Sequence, residues 1–428
     1  MSSSWMDPGW HFTHAFESFG DLYISDVILI VLCLWAIFQK KFSFRTLWEG
    51  DNKYLTAYVG AAFLSIVVCD YSSYPVHYWR WAHLALSAGV VYLLRAWALP
   101  FRTIATVVVL SAVLECAVAL PQYFMQHQIG LKVLGERTLV SKHAAPAQFT
   151  MPKRAVTSID YLLSQSQETT RVIRASGTLP HPNMLGAFLV FSLMMTCYLY
   201  EQSAKRGWIG AALFLQIVTL FTTYCRAAIF AFAGAILVWM VLSWLKEKRM
   251  CKACRPLVMG FAVSVLLFYP QLFHRGGVVS YNELASKSDV MRISMQKVAL
   301  LMIQDHPWMG IGYNNYLLAL PHYTKGAVVD TIMVHNIYLL IAAEMGLIGL
   351  AVFLVFCGVV LYRGWQQRGT LEGRTLLLLF LAFLAIGFVD YHPIFQQQIR
   401  LAFFLTGGLL FTMSPVIMDN IKSARVLT

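Results

Sequence analysis

Apolar residues run along this chain in long blocks set off by shorter polar stretches. Blocks near 22–38, 54–70, 80–97, 103–124, 183–200, 207–224, 226–245, 256–272, 331–361, 374–390 and 399–415 read as spanning helices, each needing about 20 mostly apolar residues to cross a bilayer. Eleven spans predict an all-α, polytopic membrane fold. Only two polar stretches are long, and they organise the chain. N-terminal spans occupy 1–124, a first long loop 125–182, central spans 183–272, a second long loop 273–330 and C-terminal spans 331–428. Proline punctuates the loops (Pro146, Pro152, Pro180, Pro182, Pro307, Pro321) rather than the spans, and no inverted pair of broken helices of the transporter kind is visible. Residues 1–20, with Trp5, Trp10, Phe12 and Phe16, lack the basic flank and small-residue cleavage site of a signal peptide and read as an interfacial aromatic segment.

Composition narrows the class. The 428 residues are 58% hydrophobic, 14% aromatic and only 13% charged, with a mean hydropathy of +0.61, whereas a soluble domain carries about 25% charge. A separate soluble domain has little room. The charge balance, 33 basic against 21 acidic residues, is +12, and much of it sorts into short loops. Basic clusters occupy 39–53, 95–102, 201–206, 246–255 and 362–374 and the tail with Lys422 and Arg425, all on one side if the spans are right. By the positive-inside rule that side is the cytoplasm, so both long loops, themselves basic and rich in His, face outward. The cysteines are scattered, mostly within apolar blocks, and imply no disulfide framework. Cys251 and Cys254 form a C-x-x-C without the two further ligands a zinc site needs.

Candidate chemistry gathers at the outer ends of the spans. At 334–349 the chain reads V-H-N-I-Y-L-L-I-A-A-E-M-G-L-I-G. Asn336 suits a helix cap, and Gly346 and Gly349 suit close helix packing. His335, where polar loop meets apolar helix, has the side chain whose ordinary titration fits a general base near neutral pH. Glu344 lies nine residues further, about 13 Å along a helix, and is expected to be structural. Arg226 sits in a tight turn, T-T-Y-C-R-A-A, Arg292 precedes H-P-W-M-G-I-G-Y-N-N-Y at 306–316, and Arg171 and Arg174 precede S-G-T-L-P-H-P-N-M-L-G at 176–186. Guanidinium groups bind phosphate in bidentate fashion, although a lone arginine at a membrane edge more often contacts headgroups. His181 and Asn183 are candidate sugar or phosphate contacts, or simply the start of a helix at Pro182. His392, in D-Y-H-P, is a weaker candidate of the same kind.

These residues carry a resemblance. His335 and Asn336, nine residues, then Gly346-x-x-Gly349 resemble the H-N-x9-G-x-x-G signature of bacterial O-antigen ligases. P-H-P-N-x-x-G at 180–186, C-R-A-A at 225–228, and Arg292 followed by D-H-P-W-M-G-I-G-Y at 305–313 are similar to motifs of the wider O-antigen ligase and polymerase superfamily. This chain has C-R-A-A where many members read S-R-G or T-R-A. The resemblance implies an inverting glycosyltransferase of the class C type with about 11–12 spans, in the inner membrane of a Gram-negative bacterium, its active site facing the periplasm. It would transfer preassembled O-antigen from undecaprenyl diphosphate to a sugar hydroxyl of lipid A-core, with no metal ion, nucleotide or other cofactor and no nucleic acid partner. Carried onto this chain, His335 would be the general base, Arg226 and Arg292 would hold the diphosphate, and Arg171, Arg174, His181, Asn183 and Asn336 would contact substrate. An O-antigen polymerase and a pilin O-oligosaccharyltransferase remain open within the superfamily. From another class, a small-anion transporter would use the same outward arginines, but the polar residues cluster at one face and not at the midplane.

Overall fold

A computed structural model describes residues 24–41, 43–69, 75–97, 99–131, 136, 148–152, 169–204, 206–248, 251–275, 283–324 and 333–412. The expected aromatic segment 1–20 and the basic tail lie outside the described residues. Each of the eleven predicted spans falls on a helix. In chain order these are α1 (Ile24–Phe38), α2 (Asn52–Val68), α3 (Pro75–Trp97), α4 (Phe101–Met125), α5 (Pro182–Gln202), α6 (Gly207–Thr222), α7 (Arg226–Glu247), α8 (Cys254–Arg275), then, after α9 (Glu283–Asp305) and α10 (Tyr316–Tyr323), α11 (Ile337–Gln367), α12 (Leu371–Gly387) and, past a short turn of helix at His392–Phe395, α13 (Gln397–Thr412). Among the described residues, the strands are β1 (Gln148–Pro152) and β2 (Thr169–Ile173), paired antiparallel in the first long loop. The fold is all-α and polytopic. Among the described residues, five helices are long and apolar enough to cross a membrane, namely α4, α5, α7, α8 and α11.

Two expectations are corrected, and one helix is added that the apolar blocks did not mark. Proline does enter the spans, at Pro121 in α4 and Pro270 in α8. The second long loop carries α9, a 23-residue helix too polar to stand out as an apolar block. Cys251 and Cys254 are joined as a disulfide. Their Cα atoms are 5.4 Å apart, within the range such a bond spans.

The chain divides into two compact units. The first comprises Met1–Ala98, Met295–Arg363 and Phe404–Thr428, the second Leu99–Ser294 and Gly364–Phe403. In the first, α3 packs against α1 and α2. Tyr58 of α2 lies in an aromatic cluster with Phe353 and Phe356, which continues to Phe404 and Phe411. The Arg363 guanidinium donates twice to the Asp51 carboxylate, at 2.6 and 3.2 Å, the fork geometry that makes such pairs specific.

In the second unit α5 is apolar on all sides and almost wholly buried, because α4, α6, α7 and α12 all pack on it. Its few polar groups answer one another: the Ser192 hydroxyl donates to Gln216 Oε1 of α6 (2.7 Å), and the Gln216 amide donates to Thr196 Oγ1 (3.0 Å). The segment leading into α5 rests on polar groups of α4. Gln122 donates to the Gly177 carbonyl and accepts from its N–H, both at 2.9 Å, while Glu115 accepts from Thr178.

Gln122 also donates to Glu136 (2.7 Å), whose carboxylate gathers the N–H groups of Ile129, Gly130 and Leu131 at 2.6–2.8 Å. Burial pushes the Glu136 carboxyl up, but these donors together outweigh it and hold the group below its ordinary value. A depressed carboxyl stabilises the fold above the unfolded-state value, about 4.3, and the contribution disappears as pH falls through the folded value. Glu136→Gln is therefore expected to cost about 1 kcal/mol at pH 7. In thermal unfolding of the purified protein the gap between variant and parent should close below about pH 4.

Candidate active site

In the first unit the approach to α11 carries His335 and Asn336. Asn336 Oδ1 accepts from the backbone N–H of Tyr338 (2.9 Å) and Leu339 (3.0 Å), so its side-chain oxygen caps the helix. His335 is half-buried, with Nδ1 3.0 Å from the Met333 carbonyl oxygen. A carbonyl only accepts, so in this geometry the neutral ring carries its proton on Nδ1 and its lone pair on Nε2.

Ten residues on, α11 breaks. Gly346 has φ +68° and ψ −175°, a conformation essentially confined to glycine. Reading Gly346 as a packing position in a continuous helix is corrected: it ends one helical segment and starts another. The backbone groups released there are met by residues 307–312. Ile311 N–H donates to Ala343 O (3.0 Å), Gly312 N–H to Glu344 O (2.8 Å), Leu347 N–H to Pro307 O (2.8 Å) and Ile348 N–H to Trp308 O (3.3 Å). Non-helical backbone within a span survives only where protein satisfies it. The H-P-W-M-G-I-G-Y and H-N-x9-G-x-x-G motifs are thus two halves of one structure. Gly310, at φ +68°, belongs to it, since a Cβ there would lie 2.6 Å from the Gly346 nitrogen.

Beside the break, buried Glu344 finds the partners that its structural reading required. Its Oε1 accepts from Tyr316 N–H (3.1 Å) at the start of α10, the Asn314 backbone donates to it as well, and the Arg80 charge acts on it. Arg80 also donates to the Asn314 carbonyl (3.4 Å). With the Asn314 amide turned so that its oxygen faces the guanidinium, that oxygen accepts from Arg80 Nε (3.0 Å) and Nη1 (3.1 Å). Two backbone donors and a cation reduce, without cancelling, the cost of about 3 kcal/mol that a charged carboxylate meets at this depth.

The second unit holds the other cluster. Pro182 is the first residue of α5 and His181 its N-cap, the ring Nδ1 accepting from Asn183 N–H at 3.1 Å, so the helix-start reading of P-H-P-N holds. Arg174, 2% exposed, donates through Nε to the Thr223 carbonyl (2.7 Å) and through Nη2 to Asn183 Oδ1 (2.5 Å). Asn183 Nδ2 donates in turn to Asp390 Oδ2 (2.8 Å), and Asp390 Oδ1 lies 3.2 Å from His392 Nε2. The His181 and His392 rings are 5.6 Å apart. Burial, first of all, pushes His392 below its ordinary value; Asp390 opposes this, and the charges of Arg292 and Arg174 reinforce it. The ring is therefore neutral at pH 7, protonated on Nε2 toward Asp390. Among the described residues, its Nδ1 is buried without a hydrogen-bond partner, and so is the Nε of Arg292.

Gly186 ties this cluster to the C-R-A-A turn. A Cβ there would come within 2.9 Å of the Cys225 Cβ and 3.0 Å of the Ala228 Cβ, so the last residue of P-H-P-N-x-x-G and the small residues of C-R-A-A are packing partners. Arg226 follows as the first residue of α7 and is exposed. Cys225 donates its backbone N–H to Thr223 Oγ1 (3.2 Å), so Arg174 and Arg226 flank one turn.

Of the sequence candidates, Arg174, His181, Asn183, Arg226 and Arg292 thus belong to the second unit, and His335 and Asn336 to the first. Arg171 lies opposite Thr150 in the β1–β2 pair, where only its backbone is described. Sequence reasoning missed Arg80, Glu115, Gln122 and Asp390. All four are polar residues within or at the end of apolar blocks, where their cost to the membrane marks them as paired or functional.

Comparison with known families places residues 211–354 in a match to the family described as O-antigen ligase. That segment includes Arg226, Arg292, His335 and Gly346. No curated protein matches the chain.

Proposed function

We propose, from the match of residues 211–354 to the family described as O-antigen ligase, that this membrane protein is a glycosyltransferase that moves a preassembled O-antigen glycan from undecaprenyl diphosphate to a sugar hydroxyl of lipid A-core. A glycosyl donor outside the cytoplasm has no nucleotide sugar to draw on and must bring its own leaving group, which a lipid diphosphate does. His335 Nε2 takes the proton of the acceptor hydroxyl as its oxygen attacks the anomeric carbon from the face opposite the diphosphate. The bond to the diphosphate breaks with inversion. Arg226 and Arg292 neutralise the charge that develops on the departing group, the device expected where charge grows in a transition state. Arg174, His181 and Asn183 contact the substrate, Arg171 adds positive charge from β2, and Asn336 fixes the start of α11 next to the base. The reaction takes place on the periplasmic face of the inner membrane.

The single observation carrying this reading is the His335 ring, whose Nδ1 faces a carbonyl so that the other nitrogen keeps the lone pair a base needs. The test is deletion of the gene in a strain that makes O-antigen, with lipopolysaccharide resolved on a gel. Loss of the whole ladder with intact lipid A-core is expected. Accumulation of core bearing a single repeat would point to polymerase activity instead, and an unchanged ladder with unglycosylated pilin to protein glycosylation.

A further inference from the structure

The second unit has a cavity of about 490 Å³ between the C-terminal end of α7 and the start of α12. Its polar lining is cationic. Among the described residues, Lys246, Arg368 and Arg374 line it with Leu242, Leu245, Gln366 and Gly369, and none of these is acidic. We propose that this cavity binds the phosphate headgroup of an anionic membrane phospholipid.

Four features select that ligand. Arg374 is 3% exposed and donates through Nη1 to Ser243 Oγ (2.7 Å), so one charge is built into the wall and not merely draped over the surface. Lys246 and Arg368 are exposed and able to close on a ligand; Lys246 donates to the Gly369 carbonyl, and Arg368 to the Trp365 carbonyl (2.6 Å). The cavity borders the N-terminus of α12, where the Thr370 hydroxyl takes only Gly373 N–H. Helix N-termini favour anions. The acid of that first turn, Glu372, is engaged elsewhere, accepting from Tyr198 Oη at 3.1 Å.

The surroundings select a lipid over a soluble anion. Leucines form the apolar wall. On either side stand the exposed Trp244 and Trp365, each under a cation, Lys248 at 5.3 Å and Arg368 at 4.0 Å from the ring centroid. Exposed tryptophans beside Lys and Arg mark the headgroup level of a bilayer. Basic pockets between spanning helices, on the side that carries the basic short loops, are the recurrent form of anionic lipid sites.

Native mass spectrometry of the full-length protein, released from micelles with phosphatidylglycerol or phosphatidylcholine of matched acyl chains, tests this. The wild type should retain phosphatidylglycerol several-fold better. Lys246→Gln/Arg368→Gln should reduce that retention by about fivefold per cation removed, while Lys40→Gln/Lys41→Gln, equal in charge but elsewhere, should leave it unchanged. Equal retention of the two lipids by the wild type would overturn the proposal whether or not the double variant folds. So would a double variant that binds like its parent, or inorganic phosphate that displaces phosphatidylglycerol at low millimolar concentration, which would make the ligand a free anion.

Discussion

Replacing His335 with Ala is expected to abolish glycan transfer while leaving the protein in the membrane. Losing a positioned general base typically lowers rate by about 10²–10⁴-fold, enough to empty the ladder of a complemented deletion strain. The fold should tolerate the change, because the α11 cap belongs to Asn336 and the backbone break ten residues later has its own support. Thermal stability of the purified variant should stay within about 0.5 kcal/mol of the parent, as for other partly exposed sites. His335→Gln is a sharper probe. A glutamine can still donate to the Met333 carbonyl but offers no basic nitrogen, so it should be as inactive as Ala. A complemented strain with either variant and a ladder of normal intensity would remove His335 from the base role and leave the Met333 contact as a purely structural one.

How much of this was legible in the sequence depends on the distance over which each feature is satisfied. Spans are satisfied by their own apolar length, and the eleven blocks each became a helix. Local caps were equally readable: Asn336 on α11, and Pro182 opening α5, are contacts within three residues. Features closed by remote chain were not. Gly346 reads as a small packing residue because nothing between 335 and 349 reveals that residues 307–312 supply its missing hydrogen bonds. Glu344 had no nameable partner because Tyr316 and Arg80 lie 28 and 264 positions away. Asp390 looked like the edge of a span, yet it joins Asn183, 207 residues earlier, to His392. The helix α9 was hidden for another reason. Its sequence, with Lys287, Asp289, Arg292 and Lys297, is too polar for the block criterion that found the spans. The motif order nevertheless carried real information: P-H-P-N-x-x-G with C-R-A-A, and H-P-W-M-G-I-G-Y with H-N-x9-G-x-x-G, are pairs that touch.

Gly346→Ala should be the most damaging single substitution in the first unit. A Cβ at this position would overlap the Trp308 carbonyl and approach the Met309 nitrogen at 2.5 Å, and both are backbone, which cannot rotate away as a side-chain tip does. The dihedral angles alone disfavour alanine by about 1–3 kcal/mol. Relieving the overlap means moving residues 307–309 outward, which breaks the Leu347 and Ile348 hydrogen bonds. Each backbone donor so stranded within a span, where no water replaces the lost partner, adds about 1–3 kcal/mol. The total, about 3–9 kcal/mol, reaches a range attained only by a few mechanisms and comparable to the whole stability of many proteins. Little folded protein should be recovered, and what survives should unfold far below the parent in a thermal scan followed by tryptophan fluorescence. Gly358→Ala supplies the control within the same helix: a Cβ there meets nothing within 4 Å, so the change should be neutral or stabilise by about 0.5–1 kcal/mol through helix propensity. If Gly346→Ala behaved like Gly358→Ala, α11 would be able to run straight through residue 346, and the pairing of residues 307–312 with the break would not be what holds the approach to His335 in place.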